Sequence, residues 1–254
     1  MPPSPTPGPA GEPRAGDASD PAGSTTPDAS PPPSETQPSS DAPSPPSETQ
    51  PPSDAPSPPS DPRPASIVAI LAGGRSRRMG IPKAGVLLDG RPLLAHAADA
   101  ARAAGLRPVV VAKRTSVLPD VAGLERWDEP DEPVHPLTGV AAALRRADAP
   151  IVVLPVDLPR VPGALLAHLA ARPEPVVVVE AAGRVHPLLA RFTPACAGAL
   201  AAAAAAGSPV VATVRALGAA ICGDAVVRPL GDPARSLANV NRPSDVRDAG
   251  TPER

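Results

Sequence analysis

Four cations, Arg75, Arg77, Arg78 and Lys83, stand within nine residues and follow directly on two adjacent glycines, Gly73 and Gly74. Adjacent glycines let the backbone turn sharply and bring its N–H groups against a ligand with no Cβ in the way. Guanidinium and ammonium groups just beyond such a turn suit a polyphosphate. The preceding run, Ile67 to Leu71, is apolar and partly β-branched, the pattern of a buried strand. A strand that empties into a cationic glycine turn is a candidate phosphate cradle; the alternative is a solvated basic loop. It is not a Walker loop, because GKS and GKT are absent, nor a dinucleotide GxGxxG, because the glycines are adjacent.

Other polar residues stand where chemistry could use them. Asp157, in LPVDLP, follows an apolar run and lies between two prolines. It is placed either to hold a divalent ion, since magnesium takes few protein ligands and completes its shell with phosphate and water, or to cap a helix ahead of Pro162. Asp128, in ERWDEPDEPVHPLTG, is a second acidic candidate at a strand end, or one of a solvated acidic group with Glu129, Asp131 and Glu132. His186 lies in GRVHPLLARF, where a lone histidine is as readily structural as functional. Asn239 and Asn241, two apart in LANVNRPSDV, face the same side of an extended segment. They complete a metal or acceptor site, or serve as helix-entry amides.

The string LAGGRSRRMGIPKA resembles, at every fixed position, the signature LAGG-x-S-x-R-M-G-x-x-K of the nucleotidyltransferases that include molybdenum cofactor guanylyltransferase. The resemblance runs over about residues 66–248. It implies that Leu71, Ala72, Gly73, Gly74, Arg75, Lys83, Asp128 and Asp157 bind a nucleotide, that Lys83, Asp157 and Arg78 act in catalysis, and that Asp157 holds Mg2+. It sets His186, Asn239 and Asn241 near an acceptor. The chain departs from the family pattern at Val156, where cysteine is frequent, at His135 in place of the first glycine of G-P-L-x-G, and at Arg242 for the threonine of N-x-N-T-P-x-D. After the second strand it reads AKRT, which leaves the family's base contact unassigned. The implied reaction transfers GMP from GTP to molybdopterin-bound molybdenum cofactor with release of pyrophosphate. A cytidylyl- or sugar-phosphate nucleotidyltransferase of the same fold, and a catalytically silent nucleotide-binding partner, are the alternatives. Transient contact with proteins that handle the molybdenum cofactor belongs to the same implication.

The elements that must position these residues alternate. Continuous apolar runs predict strands at Ile67 to Leu71, Pro108 to Ala112, Gly123 to Trp127, Ala149 to Val156, Pro175 to Ala181 and Val185 to Phe192, with a last short strand at Ala225 to Pro229. Between them, helices are expected at Leu93 to Ala104, Leu137 to Ala147, Pro162 to Ala171 and Pro194 to Ala206. Another is expected at Ser208 to Leu217, begun by a Ser-Pro cap, and a small one after Ser244. Asp89-Gly90 and Gly183 mark turns. Strands that are apolar throughout argue for burial on both faces. The expected fold is a three-layer α/β sandwich with a mostly parallel central sheet, the Rossmann-like nucleotidyltransferase fold, whose ligands sit at the carboxyl ends of strands.

Composition divides the chain in two. Of its 42 prolines, 22 precede Ala65, and residues 1–64 contain almost no large apolar side chains. Such a segment cannot bury enough surface to offset the entropy of ordering. It is expected to be a disordered, acidic Pro/Ser-rich tail, with a nucleotidyltransferase domain over 65–254. Within it, SETQPSSDAPSPP at 34–46 returns as SETQPPSDAPSPP at 47–59, a tandem linker duplication. The tail carries nine acidic residues against two arginines, a net of −7, so residues 65–254 carry +5 of the chain's −2. That mild basicity suits a small anionic molecule, and with one Trp, one Phe and no Tyr it does not argue for nucleic acid. Cys196 and Cys222 have neither metal spacing nor a disulfide framework. No apolar run is long enough to span a bilayer and no signal-peptide core opens the chain, so a cytoplasmic enzyme without a membrane partner is expected.

Overall fold

The computed structural model describes residues 63–73, 82–241 and 245. The Pro-rich segment before Arg63, the second glycine of the turn with its three arginines, and Ser244 lie outside the described residues.

The chain enters at β1 (Ile67–Leu71), passes a 3-10 turn at Lys83–Gly85, and makes a small hairpin of β2 (Leu87–Leu88) and β3 (Arg91–Pro92). Asp89 and Gly90 both take positive φ, 51° and 74°, in the two-residue turn expected there. Then follow α1 (Leu93–Ala103), β4 (Arg107–Lys113), β5 (Glu125–Glu129), α2 (Pro136–Ala147), β6 (Ile151–Pro155) and α3 (Gly163–Ala171). The second half has β7 (Val176–Ala181), β8 (Arg184–Phe192), α4 (Ala197–Ala205), α5 (Val210–Ala216), β9 (Ala220–Cys222), α6 (Asp224–Val227) and α7 (Pro233–Ser236).

The seven strands of the main sheet lie in the order β5-β4-β1-β6-β8-β7-β9. β1 pairs in parallel with β4 and β6, β4 with β5, and β7 with β9, while β8 runs against both of its neighbours. The sheet is therefore mixed but mostly parallel, with helices on both faces. Alternate residues of β1 divide between two cores: Val68 and Ile70 pack with Leu93, Leu94 and Leu165 under α1 and α3, while Ile67 and Ala69 pack with Leu137, Leu144 and Leu200 under α2 and α4.

Several expectations need correction. The last strand is Ala220–Cys222, paired with Val177–Val179, and not Ala225 to Pro229. The latter stretch forms α6 and a 3-10 turn, because Gly223 and Asp224 start a helix there and the Asp224 carboxylate accepts the Ala182 amide at 3.1 Å. Ser208 does not cap α5: Pro209 precedes the helix with no side-chain bond, and the Thr213 hydroxyl donates to the Pro209 carbonyl instead. The Pro194 to Ala206 stretch opens as a 3-10 turn, Pro194–Cys196, before α4. Among the described residues no helix is long and apolar enough to cross a membrane.

With so few aromatics the helices must approach closely, and α1 presents Ala97, Ala98 and Ala101, all fully buried. At Gly163 the contact of α3 with α1 leaves no room: an added Cβ would lie 2.9 Å from the Ala100 carbonyl oxygen and 3.1 Å from the Ala103 carbonyl carbon. Backbone cannot swing aside as a side-chain tip can, so Gly163→Val is expected to destabilise the fold by about 1–3 kcal/mol. The midpoint of urea unfolding measures it, and an unchanged midpoint would refute the close approach.

Candidate active site

The carboxyl ends of β1, β4 and β6 are level, with Leu71 registered against both Val111 and Pro155. The chain leaves β1 under constraint, because the Ala72 amide donates to the Val111 carbonyl and the Val156 amide to the Leu71 carbonyl. Gly73 and Asp157 are thereby brought to one rim of the sheet.

Asp157 is met there by the side chains of Lys83 and Asn239, and Lys83 is held in turn by Asn241. Lys83 Nζ donates to Asp157 Oδ2 at 2.8 Å and to Asn241 Oδ1 at 2.6 Å, and Asn239 Nδ2 approaches the same Oδ2 at 3.4 Å. The Val240 amide between the two asparagines donates to the Asp157 carbonyl at 2.9 Å, which ties the C-terminal segment onto this loop. An ammonium has three N–H groups, so Lys83 retains one for an incoming ligand. Asp157 Oδ1 accepts no hydrogen bond among the described residues, and Asn239 Oδ1 is buried without a partner. A carboxylate oxygen and an unpartnered amide oxygen on neighbouring side chains are hard donors of the kind magnesium takes, so these residues fit the ion. No group of three or more His, Cys, Asp or Glu gathers for a metal among the described residues. Such an ion would complete its shell from ligand and water.

The cluster opens into a cavity of about 330 Å³ walled by Leu71, Gly73, Lys83, Lys113, Glu129 and Asp157, together with Val134, His135 and Pro136. A smaller recess of about 130 Å³ adjoins it and shares Asp157, with Arg184, His186 and Asn239 on its walls. His186 is buried, and that burial, reinforced by Arg184 and opposed by Asp157, lowers its pKa and favours the neutral imidazole.

Several expected site residues are placed differently. Asp128 is exposed and does not line the cavity; its carboxylate pairs with Arg126 at 3.0 Å and Arg114 at 3.5 Å. Strand β5 runs one residue beyond it, and the period of two turns Glu129, not Asp128, to the cavity face with Trp127. That phase could have been read from Trp127, the one bulky apolar residue of the segment. Ala72 is buried with its amide on Val111, so only its carbonyl remains for a ligand. Gly74, Arg75 and Arg78 lie outside the described residues. Lys113, at the AKRT position that carried no assignment, lines the cavity, and its Nζ donates to the carbonyls of Pro130 and Asp131. His135 keeps the G-P-L-x-G turn intact by extending its backbone and capping α2, with its ring nitrogen accepting the Leu137 amide.

Residues 68–220 match the MobA-like NTP transferase domain. The chain belongs to this family. It is 37% identical over 190 residues to a molybdenum cofactor guanylyltransferase of Cereibacter sphaeroides, covering 71% of this chain and 93% of that one. To the molybdenum cofactor guanylyltransferase of Rhizobium meliloti it is 37% identical over 143 residues, covering 50% of this chain and 63% of the relative. Its fold is similar to that of molybdopterin-guanine dinucleotide biosynthesis protein A from Archaeoglobus fulgidus, with a TM-score of 0.62 at 24% identity, over 72% of this chain and 96% of the other. This MobA-like NTP transferase is thus an α/β nucleotidyltransferase whose sheet rim carries Gly73, Lys83 and Asp157 together.

Glu129 makes the rim expensive. Burial raises its carboxyl pKa above the ordinary range, with Asp131 adding and Lys113 opposing. A carboxyl raised in the folded state binds its proton longer than the unfolded chain does, so its contribution favours folding at low pH and is lost as pH rises through the folded-state value. Glu129→Gln is expected to raise the melting temperature of the ligand-free protein at neutral pH and to remove this part of its decline with rising pH. Thermal unfolding of both proteins at pH 5 and pH 8 checks it; a variant less stable than wild type at pH 8 would contradict the sign.

Proposed function

We propose that this protein transfers GMP from GTP to the terminal phosphate of molybdopterin carrying molybdenum, releasing pyrophosphate. The observation that carries the proposal is the meeting of Lys83, Asp157, Asn239 and Asn241 between the two recesses. The recess of about 330 Å³ along the rim takes the nucleotide, and the smaller one gives the acceptor phosphate a place beside Asp157. The names of the relatives support the choice of substrates.

In the reaction an oxygen of the acceptor phosphate attacks the α-phosphorus of GTP. A new P–O bond forms, the bond to the bridging oxygen breaks, and pyrophosphate departs with the electron pair. A phosphate monoester is already ionised at neutral pH and needs no Ser-His or Cys nucleophile. The remaining N–H of Lys83 meets charge growing on the phosphates, and its bonds to Asp157 and Asn241 hold it in place beforehand. Asp157 and Asn239 would hold Mg2+, which when bound supplies positive charge beside the α-phosphate and the leaving group. Gly74, Arg75 and Arg78 keep phosphate-binding roles on the strength of the motif. His186, with Arg184 beside it, lines the acceptor recess and orients the acceptor as a neutral group. A cytoplasmic setting suits an enzyme that consumes a nucleoside triphosphate.

Pyrophosphate release with GTP, CTP or ATP, each with and without the molybdopterin acceptor, tests the proposal. Release is expected with GTP and only with acceptor; release with CTP would reassign the donor, and GTP bound without release would mark a silent binder. Asp157→Ala and Lys83→Ala should each lower turnover by about 10²–10³-fold with the fold intact by circular dichroism, since both side chains lie at the rim. Deleting residues 1–62 spares the Arg63 carbonyl that accepts from buried Arg191. This deletion should leave kcat and KM unchanged.

A further inference from the structure

The side chain of Glu129 lines the cavity with its carboxylate between two glycines. A Cβ added to Gly73 would fall 2.3 Å from Glu129 Oε1, and one added to Gly139 would fall 2.3 Å from Oε2. The two glycines come from different elements, one from the turn after β1 and the other from within α2. Glycine inside a helix costs about 0.5–1 kcal/mol relative to alanine, and here the missing methyl makes the space that the carboxylate fills. Among the described residues the carboxylate accepts no hydrogen bond, so both oxygens await donors. Beside it on the wall, Lys113 has two of its three N–H groups on the Pro130 and Asp131 carbonyls and one left over.

A carboxylate repels a polyphosphate, so its place is at the other end of a nucleotide. The sheet order provides that separation. Glu129 sits on β5 and Asp157 follows β6, three strand spacings of about 4.8 Å apart. Leu71, Val134 and Pro136 supply apolar walls between.

We infer that Glu129 and Lys113 read the base of the nucleotide: the Glu129 carboxylate takes N1–H and the 2-amino group of guanine in a paired contact, and Lys113 donates to O6. Guanine places two donors next to one acceptor on a single edge. Adenine and cytosine each set a ring acceptor beside one amino group, and uracil sets an acceptor on either side of one N–H, so each would turn a lone pair onto the carboxylate. The inference rests on the nucleotidyltransferase reading above and names what selects guanine within it. Gly73 and Gly139 act as positioning residues, because they leave the space that orients the carboxylate.

Inosine triphosphate lacks only the 2-amino group and is the probe. Equilibrium binding of GTP and inosine triphosphate to the full chain, with magnesium, should favour GTP by about 10–100-fold, the worth of one charge-assisted hydrogen bond. Glu129→Gln should bring the ratio close to one with the protein folded, and Gly139→Ala should lower it while the charge remains. Equal binding of the two nucleotides by wild type, or an unchanged ratio in Glu129→Gln, would overturn the assignment even with GTP still turned over. Should Glu129→Gln fail to fold, the wild-type ratio and Gly139→Ala decide. Absence of GTP binding by wild type would instead overturn the nucleotidyltransferase reading itself, so the two failures are distinct.

Discussion

Everything at the rim depends on the ion pair of Lys83 with Asp157, locked by Asn241. The partners stand 74 and 158 residues from Lys83 in the chain, and all of them are needed at one point. Both charged side chains are 18% exposed, and each neutralises the other at the edge of the cavity. Three separate constraints meet in that contact. β6 must lie beside β1, the chain after the glycine turn must fold back into its 3-10 turn, and the C-terminal segment must return to donate Val240 N–H to the Asp157 carbonyl.

A core of alanine, valine and leucine serves this arrangement. Small side chains let α1 and α3 pack closely, and the central strands, apolar on both faces, hold the rim rigid. The one tryptophan is used at the exposed edge. The guanidinium groups of Arg107 and Arg146 lie over the ring of Trp127 on β5, 5.7 and 5.1 Å from its centre, and its indole N–H donates to Glu125, which pairs with both arginines. An edge strand has partners on one side only. This staple secures the strand that carries Glu129 to the cavity.

The rim also shows how function opposes stability. Glu129 is half-buried with a raised pKa and accepts no hydrogen bond among the described residues, and Asn239 Oδ1 is buried without a partner. Unpaired polar groups of this kind weaken a fold unless a ligand satisfies them. Both lie on cavity walls.

Local features were legible in the sequence because their causes are local. The apolar run of β1, the Asp89-Gly90 and Gly183 turns and the aspartate after β6 all stand where side-chain type and spacing put them. Ala220–Cys222 was not legible: three residues at a sheet edge, with Ile221 half exposed, carry little pattern, while the more apolar AVV that follows is drawn into a helix by Asp224. The sequence by itself determined the strand and helix periods and the division into an acidic Pro-rich segment and a mildly basic remainder. Only the tertiary structure decided that β8 runs against the sheet, that Glu129 rather than its neighbour faces the cavity, and that Gly139 gives it room. Strand direction, the phase of a strand's faces and the approach of a helix to a turn are set by packing between segments distant in the chain, and no local spacing records them.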